Sequence, residues 1–160
     1  QHWTGRSTVF VGLPRQAYWP DRLIILLDFK IENLMKEIVK TNKAPEPIGP
    51  YNQAILSNGT LYISGQIAID SGTGIQIHDD IKAETQQVMQ NLGAILKAAG
   101  MGFEQVVKSS IFIVDMEDFS SVNEVYGQFF DEDKAPARET VAVSKLPKNA
   151  RVEISMIAAL

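Results

Sequence analysis

Four short stretches of the chain, and one asparagine, carry groups suited to handling a small carboxylic acid. Pro136-Ala137-Arg138-Glu139-Thr140-Val141 holds one arginine between a fixed turn and a β-patterned run. Proline locks its own φ, and Thr140, Val141, Ala142 and Val143 are apolar or β-branched, so Arg138 sits on anchored backbone where a strand begins. A guanidinium held in this way offers a planar fork of donors that matches a carboxylate two-on-two. Glu153 interrupts the apolar run Val152-Glu153-Ile154 with an acid able to hold and activate water. Ile48-Gly49-Pro50-Tyr51 sets an aromatic directly after a tight turn. Ser64-Gly65-Gln66 ends an apolar run with a hydroxyl, a glycine whose backbone a ligand can approach closely, and an amide. Asn123 adds an amide on a helical stretch. Taken singly, none of these is specific. Tyr51 also fits a half-buried packing residue, Ser64 and Gln66 a strand-end hydrogen bond, and Arg138, Glu153 and Asn123 solvent-facing positions.

The rest of the inventory narrows the chemistry. There is no cysteine, so disulfides, thiolate catalysis and Cys-ligated metal sites are all absent. The two histidines, His2 and His78, lie far apart without metal-site spacing, and His78 reads as a surface loop residue. Any catalysis must therefore use Arg, Glu, Tyr, Ser, backbone groups and water, with no metal or cofactor called for. With 45% hydrophobic and 21% charged residues, the 160-residue chain has the composition of one globular domain with a real core. Its net charge of −4 and the lack of a basic stripe argue against a nucleic-acid surface.

The elements that must position these groups are legible from Met35 onward. Tyr51 to Ser57 and Thr60 to Gln66 read as strands joined by Asn58-Gly59, a type I′ hairpin signal. Asp79 or Asp80 caps a helix to about Ala99, where Val88, Leu92, Ile95, Leu96 and Ala99 form one stripe and Gly100 supplies the stop. Val106 to Val114 is a largely buried strand. Asp115 or Asp118 starts a second helix, with Phe119, Val122, Tyr126 and Phe129 or Phe130 on one face. Thr140 to Ser144 and Arg151 to Ala158 are the last strands. The order β-β-α-β-α-β-β places two helices on one face of a mixed sheet. On one parity or the other, Ile111, Ile113, Val141, Val143, Ile154 and Met156 then face away from the helices, and an apolar face left open predicts a homo-oligomer with sheet faces turned inward.

Residues 1–34 read differently. They hold both tryptophans, and four Lys/Arg against three acids, without amphipathic period. The apolar run Leu23 to Leu27 is too short to span a bilayer. They are expected to be an extension, non-native or disordered, preceding a domain over 35–160; a docking or targeting arm is the rival reading.

In combination and in order, Ile48-Gly49-Pro50-Tyr51, Ser64-Gly65-Gln66, Val122-Asn123-x-x-Tyr126, Pro136-Ala137-Arg138 and Val152-Glu153-Ile154 resemble the signature set of the RidA (YjgF-type) reactive-intermediate deaminase family, over residues 35–160 without gaps. The resemblance implies a chorismate-mutase-like α+β subunit, a cytoplasmic homotrimer and sites in clefts between subunits. It implies hydrolysis of 2-imino acids such as 2-iminobutanoate and 2-iminopropanoate to 2-oxo acids and ammonia. By the same resemblance Arg138 binds the substrate carboxylate and Glu153 orients or activates water. Tyr51, Ser64 and Gly65 line the pocket, with Asn123 as a further lining residue. The partner implied is the small-molecule substrate alone, with neither nucleic acid nor membrane. Thr140 stands where many members carry a cysteine, and Glu139 follows the arginine where a small residue is common; Glu139 is expected to point out of the site. Two rival readings are a non-catalytic trimer that senses small carboxylates and, on a label some relatives carry, an endoribonuclease or translation inhibitor.

Overall fold

The computed structural model of the protein describes residues 36–160. The extension expected over 1–34 lies outside the described residues. The elements are β1 (Glu37–Val39), β2 (Ala54–Ser57), β3 (Thr60–Gln66), α1 (Ile81–Ala98), β4 (Val106–Ile113), α2 (Phe119–Gly127), β5 (Ala137–Ala142) and β6 (Val152–Ala159). They form a six-stranded mixed sheet in the order β1-β2-β3-β6-β4-β5, in which only the β4–β5 pair is parallel. The expected order holds, with β1 added at the sheet edge. The hairpin between β2 and β3 turns where expected, with Asn58 and Gly59 both at positive φ (52° and 74°), as a type I′ turn requires.

Helix α1 begins where an acid can cap it: the Asp80 side chain accepts from Ala83 N at 2.8 Å. It ends at Gly100, whose φ of +71° closes the last turn while Met101 N donates back to Leu96 O at 2.9 Å. Val88, Leu92, Ile95 and Leu96 form its buried stripe, as the spacing predicts. They pack on Leu61, Ile63, Ile111, Ile113, Ile154 and Met156, which all point to the same side of the sheet. Of the residues expected on the uncovered side, Ile111, Ile113, Ile154 and Met156 therefore belong to the helix side, while Val141 stays exposed on the opposite one. There, Ile38, Ile55, Tyr62 and Ile157 are register neighbours across four strands, and Ile38 and Tyr62 are more than half exposed at 53% and 51%. Part of this side is covered by the β5–β6 connection, where Leu146 and Ala150 pack with Ile67, Ile69, Phe112 and Val143.

One buried charge ties the layers. Glu84, in the first turn of α1, is wholly buried and accepts from the Arg151 backbone N–H at 3.1 Å and from Arg151 Nε at 2.7 Å. Arg151 Nη2 also donates to the His78 carbonyl at 3.2 Å, so loop, helix start and the lead-in to β6 are joined at one point. Removing the cation strands a carboxylate in the core. Arg151→Ala is expected to lower the unfolding free energy by about 3 kcal/mol, the lower end for a broken buried pair because the arginine is partly in solvent. Urea denaturation checks this as a shift in midpoint at unchanged slope; a loss below about 0.5 kcal/mol, the range of ordinary surface changes, would show the pair to be incidental.

Candidate functional site

A pocket of about 370 Å³ opens on the uncovered side of the sheet beside the end of β3. Tyr51, Ser64, Gly65 and Glu153 all line it, so four of the six expected site residues are brought together. Its remaining walls combine apolar residues, among them Pro47, Ile48, Ile67, Ile69 and Pro147, with the polar Glu46, Gln53 and Gln66. The lining contains no Lys, Arg or His.

Each polar group in the pocket has a local reason for its place. Between Ile63 and Gln66 the register with β6 shifts, which interrupts the ladder beside Glu153 and lets the backbone there face a ligand. Gly65 is needed for space, not for an unusual φ: a Cβ built on it would lie 2.8 Å from Glu153 Cδ and 3.0 Å from Cγ. The absence of that one carbon lets the carboxylate rest against the β3 backbone. Half-burial there pushes the Glu153 carboxyl above its ordinary value of 4.5, desolvation being the cause. Ser64 Oγ donates to the Asn52 carbonyl at 2.7 Å, so its proton is committed and its lone pairs remain for a ligand. Tyr51 lies in the lip of the pocket, where its N–H bonds to Gly49 O at 2.8 Å and its hydroxyl accepts from Ile48 N at 3.3 Å. The strand expected to start at Tyr51 starts at Ala54 instead, because Gly49-Pro50 and this tight turn hold residues 49–51 off the ladder.

Two buried amides that the sequence reading missed support these walls. Gln53 Nε2 donates to the carbonyls of Thr41, Ala44 and Pro45 at 2.9–3.1 Å while its Oε1 accepts from Thr41 N at 2.7 Å. It thereby pins the segment that carries Pro45, Glu46 and Pro47 to the pocket rim. Asn91 on α1 donates to the carbonyls of Ile67 and Ile69, fixing the wall that follows β3. Only their burial distinguishes them from surface amides, and no local pattern announces it.

Arg138 and Asn123 are not in this pocket. Arg138 pairs in register with Ser109, whose side chain is buried on the helix side, whereas Glu153 pairs with Phe112 on the opposite parity of the same strand. The two side chains therefore leave opposite faces of the sheet. They are separated by β4, about 10 Å across the strands, and by three residues along β4, about 10 Å more. Arg138 Nη1 donates to Asn123 Oδ1 at 2.7 Å, and its guanidinium carbon lies 5.1 Å from the Tyr126 ring centroid. Glu139 does point away from the arginine: it bonds Lys108 and Ser110 on the other face, and these two partners hold its carboxyl below the ordinary range. β5 begins at Ala137, three residues earlier than Thr140, so Arg138 is its second residue and paired backbone, not only Pro136, anchors it.

The arrangement can do two separable things. One face holds a half-buried carboxylate in a cation-free pocket sized for a small molecule; the other presents an exposed guanidinium with one donor bonded, to Asn123, among the described residues. Among the described residues, no group of three or more His, Cys, Asp or Glu side chains is disposed to hold a metal ion, and no helix is long and apolar enough to cross a membrane.

Comparison with known proteins agrees with these features. The chain is 50% identical over 125 residues to a RutC family protein of Synechocystis, covering 78% of this chain and 96% of that one. It is 43% identical over 128 residues to the human 2-iminobutanoate/2-iminopropanoate deaminase, covering 80% and 93%. The solved structure of Escherichia coli TdcF with bound serine superposes with a TM-score of 0.73 at 40% identity, over 78% of this chain and 98% of TdcF. The profile of the family described as Endoribonuclease L-PSP matches residues 41–160. With that match and these identities, the chain belongs to the Endoribonuclease L-PSP family, the group that includes the RidA (YjgF-type) deaminases.

Proposed function

We propose that the protein hydrolyses reactive 2-imino acids, such as 2-iminobutanoate and 2-iminopropanoate, to 2-oxo acids and ammonia, as a homotrimer whose sites lie between subunits. The observation that carries this reading is the division of the two charged groups. Glu153 lines a pocket that lacks any cation, while Arg138 stands exposed on the far side of the sheet, ready for a ligand held by a neighbouring copy. The open apolar row of Ile38, Ile55, Tyr62 and Ile157 supplies a surface for that neighbour. The name of the human relative and the serine bound to TdcF, a small amino acid with its own carboxylate, support the substrate class.

In this reading the Arg138 fork of one subunit neutralises the substrate carboxylate and orients C2 over Glu153 of the next. Glu153, ionised, takes a proton from water as the water oxygen bonds to C2 and the C=N π pair moves to nitrogen. The same carboxyl returns that proton to nitrogen. The C–N bond of the carbinolamine then breaks, ammonia leaves with the bonding pair, and the hydroxyl proton passes to solvent water as C=O forms. The iminium carbon is already electrophilic, so orientation and one proton shuttle suffice. Tyr51 and Ser64 border the reacting centre, and Ile48, Ile67 and Ile69 take the substrate's side chain.

The test is a coupled assay in which a threonine or serine dehydratase generates the imine and 2-oxo acid release is followed. Acceleration over spontaneous hydrolysis is expected. Absence of acceleration with clear binding of 2-oxobutanoate would instead favour a carboxylate-sensing protein. The same assay carries a second expectation. Gly65→Ala forces the Glu153 carboxylate, a flexible side-chain end, out of its place without disturbing the backbone. It should therefore cost about 10²-fold in rate, the scale of an ångström-sized misplacement. Its melting temperature should stay close to wild type; a variant with full activity would show that Glu153 need not lie against β3.

A further inference from the structure

Beneath Arg138 lies a set of contacts that no proposed step of the reaction uses. Phe119, Asn123 and Tyr126 follow one another at i, i+4 and i+7 on α2, so they share one face of the helix, and all three meet the guanidinium. The arginine's carbon is 5.1 Å from the Tyr126 ring centroid and 5.9 Å from that of Phe119, and Nη1 bonds Asn123 Oδ1 at 2.7 Å. Tyr126 is itself fixed: its buried hydroxyl donates to Ser109 Oγ at 3.0 Å and its ring packs on Phe130 at 4.8 Å. Ser109 is the register partner of Arg138. The contacts thus form a closed cycle, running from Arg138 through Tyr126 to Ser109 and back to Arg138 across the β4–β5 ladder.

We propose that Asn123 and Tyr126 are positioning residues that aim the Arg138 fork without cancelling its charge, and that the neutrality of Asn123 sets the affinity for the carboxylate substrate. An arginine at an exposed edge strand otherwise samples many rotamers. Here it is clamped by an aromatic face and by a neutral acceptor, which occupies one of the five guanidinium N–H donors and leaves the others for a ligand. An aspartate at 123 would be nearly isosteric and would accept the same hydrogen bond. It would also neutralise the cation and compete with an incoming carboxylate. Tyr126 provides rigidity from below, and the bond to Ser109 holds its ring beneath the guanidinium.

This inference rests on the proposed role of Arg138, and the experiment separates the two. Binding of 2-oxobutanoate is measured by calorimetry alongside imine turnover, for wild type, Asn123→Asp and Tyr126→Phe. Asn123→Asp is expected to weaken binding and raise KM about tenfold or more, a tenfold change being about 1.4 kcal/mol, while leaving kcat and thermal stability near wild type. Tyr126→Phe, which keeps the ring and loses the Ser109 bond, is expected to raise KM by about threefold. Wild-type affinity and KM in Asn123→Asp would overturn the proposal, because a merely structural asparagine tolerates that change and a clamp for a cation does not. A wild-type protein with turnover and an unaltered Asn123→Asp variant would reject the clamp alone. A wild-type protein with neither binding nor turnover would reject both the clamp and the deaminase reading.

Discussion

Arg138→Ala is expected to lower kcat/KM for 2-imino acid hydrolysis by about 10²–10³-fold, with most of the loss in KM. A charge-assisted fork to a carboxylate is among the strongest polar contacts a small ligand makes, and truncating one partner of such a pair costs about 2–5 kcal/mol. Binding of the 2-oxo acid product should weaken in parallel, because the product keeps the same carboxylate. Arg138→Lys should recover only part of the loss, since an ammonium keeps the charge but not the planar two-on-two geometry. The folded state should hardly change, because Arg138 is exposed on the edge strand β5. Steady-state kinetics and product titration on the same preparations check both halves. An effect below about threefold would remove Arg138 from the site.

Glu153→Gln is expected to act on kcat instead. Loss of a positioned acid–base group costs typically about 10²–10⁴-fold, and glutamine keeps the shape while losing the proton-accepting oxygen. The pH dependence has a definite sign. The active form is the ionised carboxylate, and half-burial raises its pKa above the ordinary 4.5. Activity should therefore fall as pH drops through that raised value, at a higher pH than an ordinary glutamate would give, and Glu153→Gln should lose this limb. Stability should move the other way. A carboxyl whose folded-state pKa is raised favours the fold while protonated, below its unfolded pKa, and that advantage is lost as pH rises through the folded value. At neutral pH the charge is thus a burden on folding, and Glu153→Gln should melt at a slightly higher temperature than wild type. A variant both inactive and less stable would point to a structural role for the carboxylate.

Much of the fold was legible because its signals are local. Asp80 and Gly100 bracket α1, Asn58-Gly59 turns the first hairpin, and the α1 stripe repeats at helical spacing. The misses share a physical cause. β1 is three residues long, too short for any period to show, and exists because Ile38 finds Ile55 across the edge. The start of β5 was hidden because Arg138 and Glu139 are polar and exposed, and parallel pairing with β4 rather than apolar alternation makes them a strand. The candidate site divides in the same way. Tyr51, Ser64, Gly65 and Glu153 meet in one pocket, as the resemblance of their motifs in combination implied, though no one of them is specific alone. That Arg138 leaves the opposite face depends on the registers of β5 on β4 and of β6 on β4, pairings between segments distant in the chain. Gln53 and Asn91 were invisible for a related reason: their carbonyl partners are assembled only by the fold.

The division of Arg138 and Glu153 between opposite faces makes subunit complementation the most direct test of the account. Arg138→Ala and Glu153→Gln protomers, each strongly impaired as homo-oligomers at substrate well below KM, are co-expressed or co-refolded in equal amounts and assayed for imine hydrolysis under that condition. If each site takes its arginine from one subunit and its glutamate from the next, one site in each mixed trimer, about a quarter of all sites in an equal mixture, regains both groups, and activity returns to about that fraction of wild type. If mixed oligomers form and remain as impaired, a site shared between subunits is contradicted, and with it the account of how this chain completes its catalytic pair.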